Sequence, residues 1–250
     1  MKRILMIMMM AAAVIASGAC SGDAFGQDSN GSSQNGTASG EEGDGGQDNQ
    51  GDGTGDNWNQ TGDPDYEMPD GESTILVAYF SATGNTRTVA RHIATLTGAD
   101  LYRIRPAEPY AENPYDDSDK IQDEAYNDLR PEAGNLPDES LMAQYETIFV
   151  GSPIWWHQPA MVVCTFLEKY DLSGKTVIPF FTYGATSYLN ESMHKIYEVT
   201  PDSAHIPETL PEDLDPDNIQ EPQSDDSEIA MPGRSENSVR SWLQGTGMID

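Results

Sequence analysis

Positively charged residues are scarce in this chain of 250 residues. It has 13 lysines and arginines against 42 aspartates and glutamates, so its formal net charge is -29 at pH 7. A charge of this sign repels the phosphates of nucleic acids and the face of an anionic membrane. We therefore expect neither nucleic acid nor a bare membrane surface as a partner, whereas a neutral or cationic partner fits the charge.

Cysteine is nearly absent as well, and one of the two cysteines follows an export-type segment. Lys2 and Arg3 precede an apolar run over residues 4–16, and small residues then lead to Cys20. This is the layout of a signal peptide. The run is too short to span a bilayer comfortably.

The sequence SGAC at residues 17–20 resembles the processing site of bacterial lipoproteins, in which the cysteine becomes the lipidated first residue of the mature protein. The resemblance implies a signal peptide over residues 1–19, a lipid on Cys20 and a protein anchored at the cell envelope outside the cytoplasm. Ser17 departs from that motif, which usually has an aliphatic residue there. Simple secretion and uncleaved anchoring are the alternatives.

The second cysteine, Cys164, is left without a partner once Cys20 is assigned to the anchor. The folded part is therefore expected to contain no internal disulfide, although it is exported. Cys164 lies in the apolar stretch AMVVCTFL. A small core residue is expected there rather than a nucleophile or a metal ligand.

Aliphatic residues are almost absent, and basic residues are absent, between Ser21 and Glu72. Such a segment buries too little apolar surface to offset the entropy of ordering it. We expect residues 20–72 to be a disordered acidic tether that its own charges keep extended. The folded domain then comprises residues 73–250.

Strand-like and helix-like segments alternate through this domain, which predicts an α/β sheet with right-handed crossovers. The predicted strands are Thr74–Phe80, Leu101–Arg105, Thr147–Gly151 and Thr176–Thr182, with a weaker fifth between Ala204 and Met231. The predicted helices are Arg87–Thr97, Ile121–Leu129, Ala160–Lys169, Asn190–Tyr197 and Glu236–Gln244. Such a sheet binds ligands at the carboxyl ends of its strands, where the strand order reverses.

The first loop, SATGNT at residues 81–86, follows the first strand and opens a helix. Backbone N–H groups and the positive end of the helix dipole make an anion site there, to which hydroxyl groups add neutral donors. The loop has no lysine, so it is not the GxxxxGK[ST] nucleotide loop, and it is not a GxGxxG fingerprint. A single phosphate fits best; an ordinary capped turn is the alternative.

Two further loops add flat side chains near the first. The second loop, SPIWWHQP at residues 152–159, follows the third strand and contains Trp155 and Trp156. One of these tryptophans is expected in the core, and the other can face an aromatic ring. The third loop, TYGATSYLN at residues 182–190, combines small residues with Tyr183 and Tyr188. A phosphate pocket with aromatic walls indicates a mononucleotide that carries a planar ring system.

These segments together resemble the flavodoxin-like family. The resemblance lies in ILVAYFSATGNTRTVARHIA, in ETIFVGSPIWWHQPAMVVCTFLEKYDLSGKTVIPFFTYG and in SENSVRSWLQGTGMI near the end of the chain. It implies a doubly wound, five-stranded parallel sheet of order 2-1-3-4-5 with helices on both faces. It also implies FMN as the cofactor.

The resemblance assigns the candidate site residue by residue. It implies that the phosphate of FMN is held by Ser81, Thr83, Gly84, Asn85 and Thr86. One side of the flavin ring is then lined by Pro153, Ile154, Trp155 and Trp156, and the other by Thr182, Tyr183, Gly184 and Ala185. Trp155 is the first choice for stacking on the ring, and Tyr188 is the candidate for covering it.

Two features depart from the family pattern. His157 stands where a small residue is common, and it is either a surface residue or a group near flavin N5 or a substrate. The acidic, proline-rich insertion near residues 207–233 is either a solvated loop or a cover for the flavin edge.

The expected function is electron transfer rather than hydrolysis. Four scattered histidines (His92, His157, His194 and His205) form no metal-site spacing, and Ser81 lacks a nucleophile-elbow pattern. We expect a low-potential electron carrier that exchanges electrons with a redox protein or a small molecule. An FMN-dependent NAD(P)H:quinone-type reductase and a flavin-free binding module on the same fold are the alternatives.

Overall fold

The described part of the chain is residues 68–111, 113–183, 189–210, 230 and 232–250 of a computed structural model. The expected signal peptide, Cys20, most of the tether and most of the acidic insertion lie outside these residues. Among the helices of the described part, none combines the length and the apolar character needed to cross a membrane.

Five of the described strands form one parallel sheet. The strands are β1 Ile75–Tyr79, β2 Asp100–Arg103, β3 Arg105–Pro106, β4 Ala133–Gly134, β5 Thr147–Trp155, β6 Gln158–Pro159, β7 Thr176–Thr182 and β8 Ala204–His205. The parallel order is β2-β1-β5-β7-β8, while β6 folds back antiparallel on β5 and β3 pairs with β4 apart from the sheet. Counted by the five parallel strands, this is the predicted order 2-1-3-4-5, so the expected fold class is confirmed.

Within the described ranges, six α-helices connect and cover the strands. They are α1 Asn85–Thr97, α2 Ser118–Tyr126, α3 Glu139–Met142, α4 Met161–Glu168, α5 Leu189–Val199 and α6 Glu236–Gly245. Helices α1 and α6 pack on one face of the sheet, and α4 and α5 pack on the other. The five predicted helices are all present, with ends that differ by at most three residues.

The central strand β1 contributes to both cores. Leu76 and Ala78 pack on one face of the sheet, and Val77 and Tyr79 pack on the other; all four are fully buried. Successive side chains of a strand point to opposite faces. Because helices cover both faces, β1 is apolar throughout rather than alternating.

The third predicted strand is longer than the sequence indicated. We expected it to end at Gly151, yet β5 continues to Trp155 and pairs with β7 as far as Pro153 opposite Thr182. Gly151 allows β5 and β7 to pair here, because a Cβ at this position would lie 2.2 Å from Cζ of Phe180 on β7. The fifth strand, β8, has only two residues, which is too short to give a clear sequence pattern.

Candidate functional site

The carboxyl ends of β1, β5 and β7 lie at the same edge of the sheet, so the three loops begin near one another. The strand order reverses between β1 and β5, which is where doubly wound sheets form their ligand crevice. Thr86 of the first loop and Thr182 at the end of β7 are joined by a 2.8 Å hydrogen bond between their hydroxyl oxygens. Phe80, immediately before the first loop, donates its N–H to the carbonyl of Gly151, at 2.9 Å.

The first loop is a tight turn that its own residues hold in place. The N–H of Gly84 donates to Oγ of buried Ser81, at 3.1 Å. Gly84 has a φ of 88°, a left-handed conformation that glycine adopts without steric cost. Thr86 is buried, whereas Thr83 is exposed, and Nδ2 of Asn85 lies 3.4 Å from Oγ1 of Thr83. Thr83 and Asn85 are therefore the side chains best placed to meet a ligand.

The donors around the first loop fit a phosphate group. Helix α1 begins at Asn85 with no side-chain cap and no acidic residue in its first turn. The first N–H groups of a helix have no partner within the helix, and the positive end of its dipole favours an anion. The first N–H groups of α1 and the exposed hydroxyl group of Thr83 are neutral donors, as the sequence predicts.

Two arginines that sequence reasoning missed also reach the first loop. Buried Arg103, on β2, donates through Nη2 to the carbonyl of Ser81, at 3.3 Å. Arg234, which lies just before α6, donates through Nη1 to Oδ1 of Asn85, at 2.8 Å. These contacts span 22 and 149 residues of the chain, so no local sequence pattern could have indicated them.

The second loop is largely regular structure rather than loop. Pro153, Ile154 and Trp155 belong to β5, and β6 returns with Ile154 opposite Pro159. The turn between the strands consists of Trp156 and the following histidine. Our interpretation of residues 152–159 as a loop is therefore wrong: the chain forms a β-hairpin with a two-residue turn there.

The two tryptophans occupy different surroundings. Trp155 packs against the core, with its ring centroid 5.3 Å from those of Phe80 and Tyr110 in edge-to-face contacts. Trp156 is 38% exposed and meets the ring of Tyr126 edge-to-face, at 5.8 Å. Trp155, the first choice for stacking on the ring, is thus the tryptophan that packs on the core, and Trp156 is the exposed one. Which of the two rings meets a flavin stays a prediction.

His157 shares the hairpin turn with Trp156. Their φ angles are 69° and 49°, in the left-handed region. The carbonyl of His157 accepts a hydrogen bond from Oγ of buried Ser192, at 3.4 Å, and the residue is half-buried. Helix α5 thus helps to hold the turn, and the choice between a surface role and a role near the flavin stays a prediction.

The third loop is described only at its start. Thr182 ends β7, and Tyr183 is 39% exposed beside it. The predicted site residues Gly184 and Ala185, and the candidate ring cover Tyr188, lie outside the described residues. Their assignment stays a prediction.

A buried polar pair, also missed from sequence, lies behind Trp155. The hydroxyl of Tyr110 donates to Oε2 of Glu124, at 2.6 Å, and both side chains are buried. Burial raises the pKa of Glu124, while the hydrogen bond from Tyr110 and the charge of Lys120 lower it in part. Nζ of Lys120 also lies 4.9 Å from the centroid of the Tyr110 ring. Trp155 thus packs on a tyrosine whose hydroxyl group is hydrogen-bonded to an ionisable carboxyl group.

The remaining candidates lie away from the loops. Cys164 is fully buried on α4, and burial raises the pKa of its thiol to about 12, so its expected role as a core residue is confirmed. His205 stacks on Tyr197 at a centroid distance of 3.9 Å. Within the described residues, no group of three histidine, cysteine, aspartate or glutamate side chains could hold a metal ion.

Fold and site together define a doubly wound α/β protein of the flavodoxin-like class, whose switch point, where such folds bind ligands, lies between β1 and β5. The flavodoxin family profile matches residues 74–218, more than half of the 250 residues. The chain therefore belongs to the flavodoxin family. No curated protein matches it significantly.

The chain is similar to several solved structures. A protein from Bacteroides eggerthii DSM 20697, assigned as a flavoprotein, is 30% identical, with a TM-score of 0.53 over 69% of this chain and 97% of its own. Another, from Bacteroides uniformis ATCC 8492, is 28% identical, with a TM-score of 0.53 over 68% and 97%. A flavoprotein from Lactobacillus acidophilus NCFM, solved in complex with FMN, is 24% identical, with a TM-score of 0.45 over 53% and 89%.

Proposed function

We propose that this protein binds FMN and carries electrons at low potential at the cell envelope. The observation that carries the proposal is the first loop, which places an exposed hydroxyl group, an uncapped helix start and an arginine at one end of the sheet. Membership of the flavodoxin family supports FMN as the ligand of that loop.

The residues of the site would have different roles in FMN binding. Ser81 shapes the turn, because its hydroxyl oxygen already accepts the N–H of Gly84. Thr83, Asn85 and the first N–H groups of α1 are the donors for the phosphate. Residues 153–156 would line one side of the ring and residues 182–185 the other. Once bound, FMN supplies reversible electron transfer at its ring, and the protein sets its potential and its access.

An FMN titration of the purified mature protein tests this proposal. Thr83→Ala removes one exposed donor, and loss of a hydrogen bond to a charged group costs roughly 1.5–3 kcal/mol, so FMN affinity should fall about 10-fold or more. Thr95→Ala is the matched control, since Thr95 is exposed on α1, more than two turns beyond the first loop. Affinity that is unchanged by Thr83→Ala would contradict the assigned phosphate site.

The same titration separates electron carrier from binding module. A wild-type protein that takes up no FMN would leave the fold intact and favour a flavin-free binding module. If FMN binds, steady-state oxidation of NAD(P)H with an added quinone distinguishes a carrier from a reductase. A carrier should be nearly inert in this assay, whereas rapid turnover would favour the reductase.

The location at the envelope depends on Cys20. We propose that Cys20 is lipidated and that the acidic residues 21–72 hold the flavin domain away from the membrane. Metabolic labelling with a radioactive fatty acid should label the wild-type protein and not a Cys20→Ala variant. Equal release of both proteins into the soluble fraction would favour simple secretion instead.

A further inference from the structure

The first loop contains no cationic side chain of its own, yet a guanidinium group reaches it from the far end of the chain. Nη1 of Arg234 lies 2.8 Å from Oδ1 of Asn85, the first residue of α1. The chain has only 13 lysines and arginines among 250 residues, so a cation at this position is notable against a net charge of -29.

Regular structure presents Arg234 to the loop. Gly233 has a φ of 73°, which turns the chain immediately before the arginine. Ser235, immediately after it, caps α6 by accepting the N–H of Ser238, at 3.1 Å. Helix α6 then packs against α1 in one buried cluster through Val239, Trp242 and Leu243. Two packed helices therefore fix both partners of the Arg234–Asn85 contact.

The contact also orients the Asn85 amide. Because Oδ1 accepts from Arg234, the Nδ2 group is directed toward the first loop, where it lies 3.4 Å from Oγ1 of Thr83. The Asn85 side chain thus directs its N–H donors to the side of Thr83, and the guanidinium charge of Arg234 contacts its oxygen on the other side. A charged donor attracts a dianionic phosphate more strongly than neutral donors do.

Resting on the proposed function, we infer that Arg234 makes this site selective for the phosphorylated flavin: its charge strengthens the binding of FMN and leaves the binding of riboflavin unchanged. Riboflavin has the same ring but no phosphate, so the charge of Arg234 has no anionic group to attract. In a protein of strong negative charge, a local cation offsets the general repulsion of an incoming phosphate.

Fluorescence-quenching titrations of the apo protein with FMN and with riboflavin test the inference. Arg234→Gln should weaken FMN binding about 10-fold and leave riboflavin binding within about twofold of wild type. Arg234→Lys keeps the charge and should recover most of the FMN affinity. Raising the salt concentration should narrow the difference between wild type and Arg234→Gln, because the interaction is screened.

Arg240→Gln is the matched control. It removes the same charge from α6, where Arg240 pairs with Glu236 at 2.8 Å and is 46% exposed. This variant should bind both flavins like wild type. Equal loss of FMN and riboflavin affinity in Arg234→Gln would show a structural role and overturn the inference, as would an Arg234→Lys variant as weak as Arg234→Gln. A wild-type protein that binds neither flavin would instead overturn the proposed function itself.

Discussion

Glu124 is a carboxyl group that the fold buries beside an aromatic cluster. Its neighbours include the Tyr110 hydroxyl, which donates to it at 2.6 Å, and the charges of Lys120, Asp117 and Asp123. Desolvation is the largest influence and raises the pKa of Glu124 above its ordinary value. The folded state therefore holds this proton more tightly than the unfolded state does.

A pH dependence of stability follows from this shift. A group whose pKa is raised by folding stabilises the protein fully below its unfolded pKa, and that contribution is lost as pH rises through the folded pKa. Glu124→Gln is neutral at every pH and still accepts from Tyr110. We expect its free energy of unfolding, relative to wild type, to increase from pH 4.5 to pH 7.5.

Urea unfolding of the apo protein at several pH values measures this difference. Tyr110→Phe is the informative companion, since losing the donor removes an influence that lowers the pKa of Glu124. It should make the decline of stability with rising pH steeper. Parallel stability curves for wild type and Glu124→Gln would show that Glu124 does not titrate in this range.

The β5–β6 hairpin concentrates backbone strain beside the proposed ring site. Trp156 and His157 have positive φ angles of 49° and 69°, as both central residues of a type I′ turn do. Asparagine and glycine are the residues that favour this turn, and bulky residues adopt such angles at a cost of about 1 kcal/mol or more. The protein therefore keeps a large ring at the turn in spite of this cost.

Replacing the turn residues should separate stability from binding. The double variant Trp156→Asn with His157→Gly relieves the strain but, like Trp156→Ala, loses the ring contact with Tyr126. The apo double variant should therefore have a free energy of unfolding about 1 kcal/mol above that of the Trp156→Ala variant, in which the strain at His157 remains. The double variant should also weaken FMN binding, because an aromatic wall of the ring site is lost. Trp156→Phe keeps both strain and aromatic face, so it should resemble wild type in each measurement. A double variant with unaltered FMN affinity would remove Trp156 from the site.

The sequence predicted those elements that make their own periodic pattern. The strand Thr176–Thr182 stands out through its nearly continuous apolar character, and the helix Glu236–Gln244 stands out through its helical spacing. The structure confirms both within one residue at each end. The extension of β5 did not stand out, because Pro153 lacks a backbone donor and usually marks the end of a strand. Here it pairs with Thr182 of β7, just before the chain turns back.

Long-range contacts set a different limit on prediction. The hydroxyl groups of the first loop were visible in the sequence, but the arginines that reach them are not local to it. Arg234 meets Asn85 only because α6 packs on α1, and Arg103 meets Ser81 only because β2 lies beside β1. Such contacts are consequences of topology, so they follow from the folded chain and not from spacing.

The charge of the whole molecule bears on the potential that FMN would have in the proposed site. With 42 acidic residues against 13 basic ones, the protein's field opposes the extra negative charge that reduction gives to FMN. Stacking on aromatic rings adds to this by favouring the oxidised ring. We therefore expect a midpoint potential below that of free FMN.

Salt separates these two contributions, because it screens the field of exposed carboxylates but hardly affects stacking. In redox titrations of the FMN-loaded protein, the midpoint potential should rise between about 20 mM and 500 mM salt, toward that of free FMN measured at the same salt. The part of the shift that survives at high salt is then due to contacts within the site. A low potential that does not change with salt would assign the whole shift to those contacts, and a potential above that of free FMN would contradict the low-potential carrier.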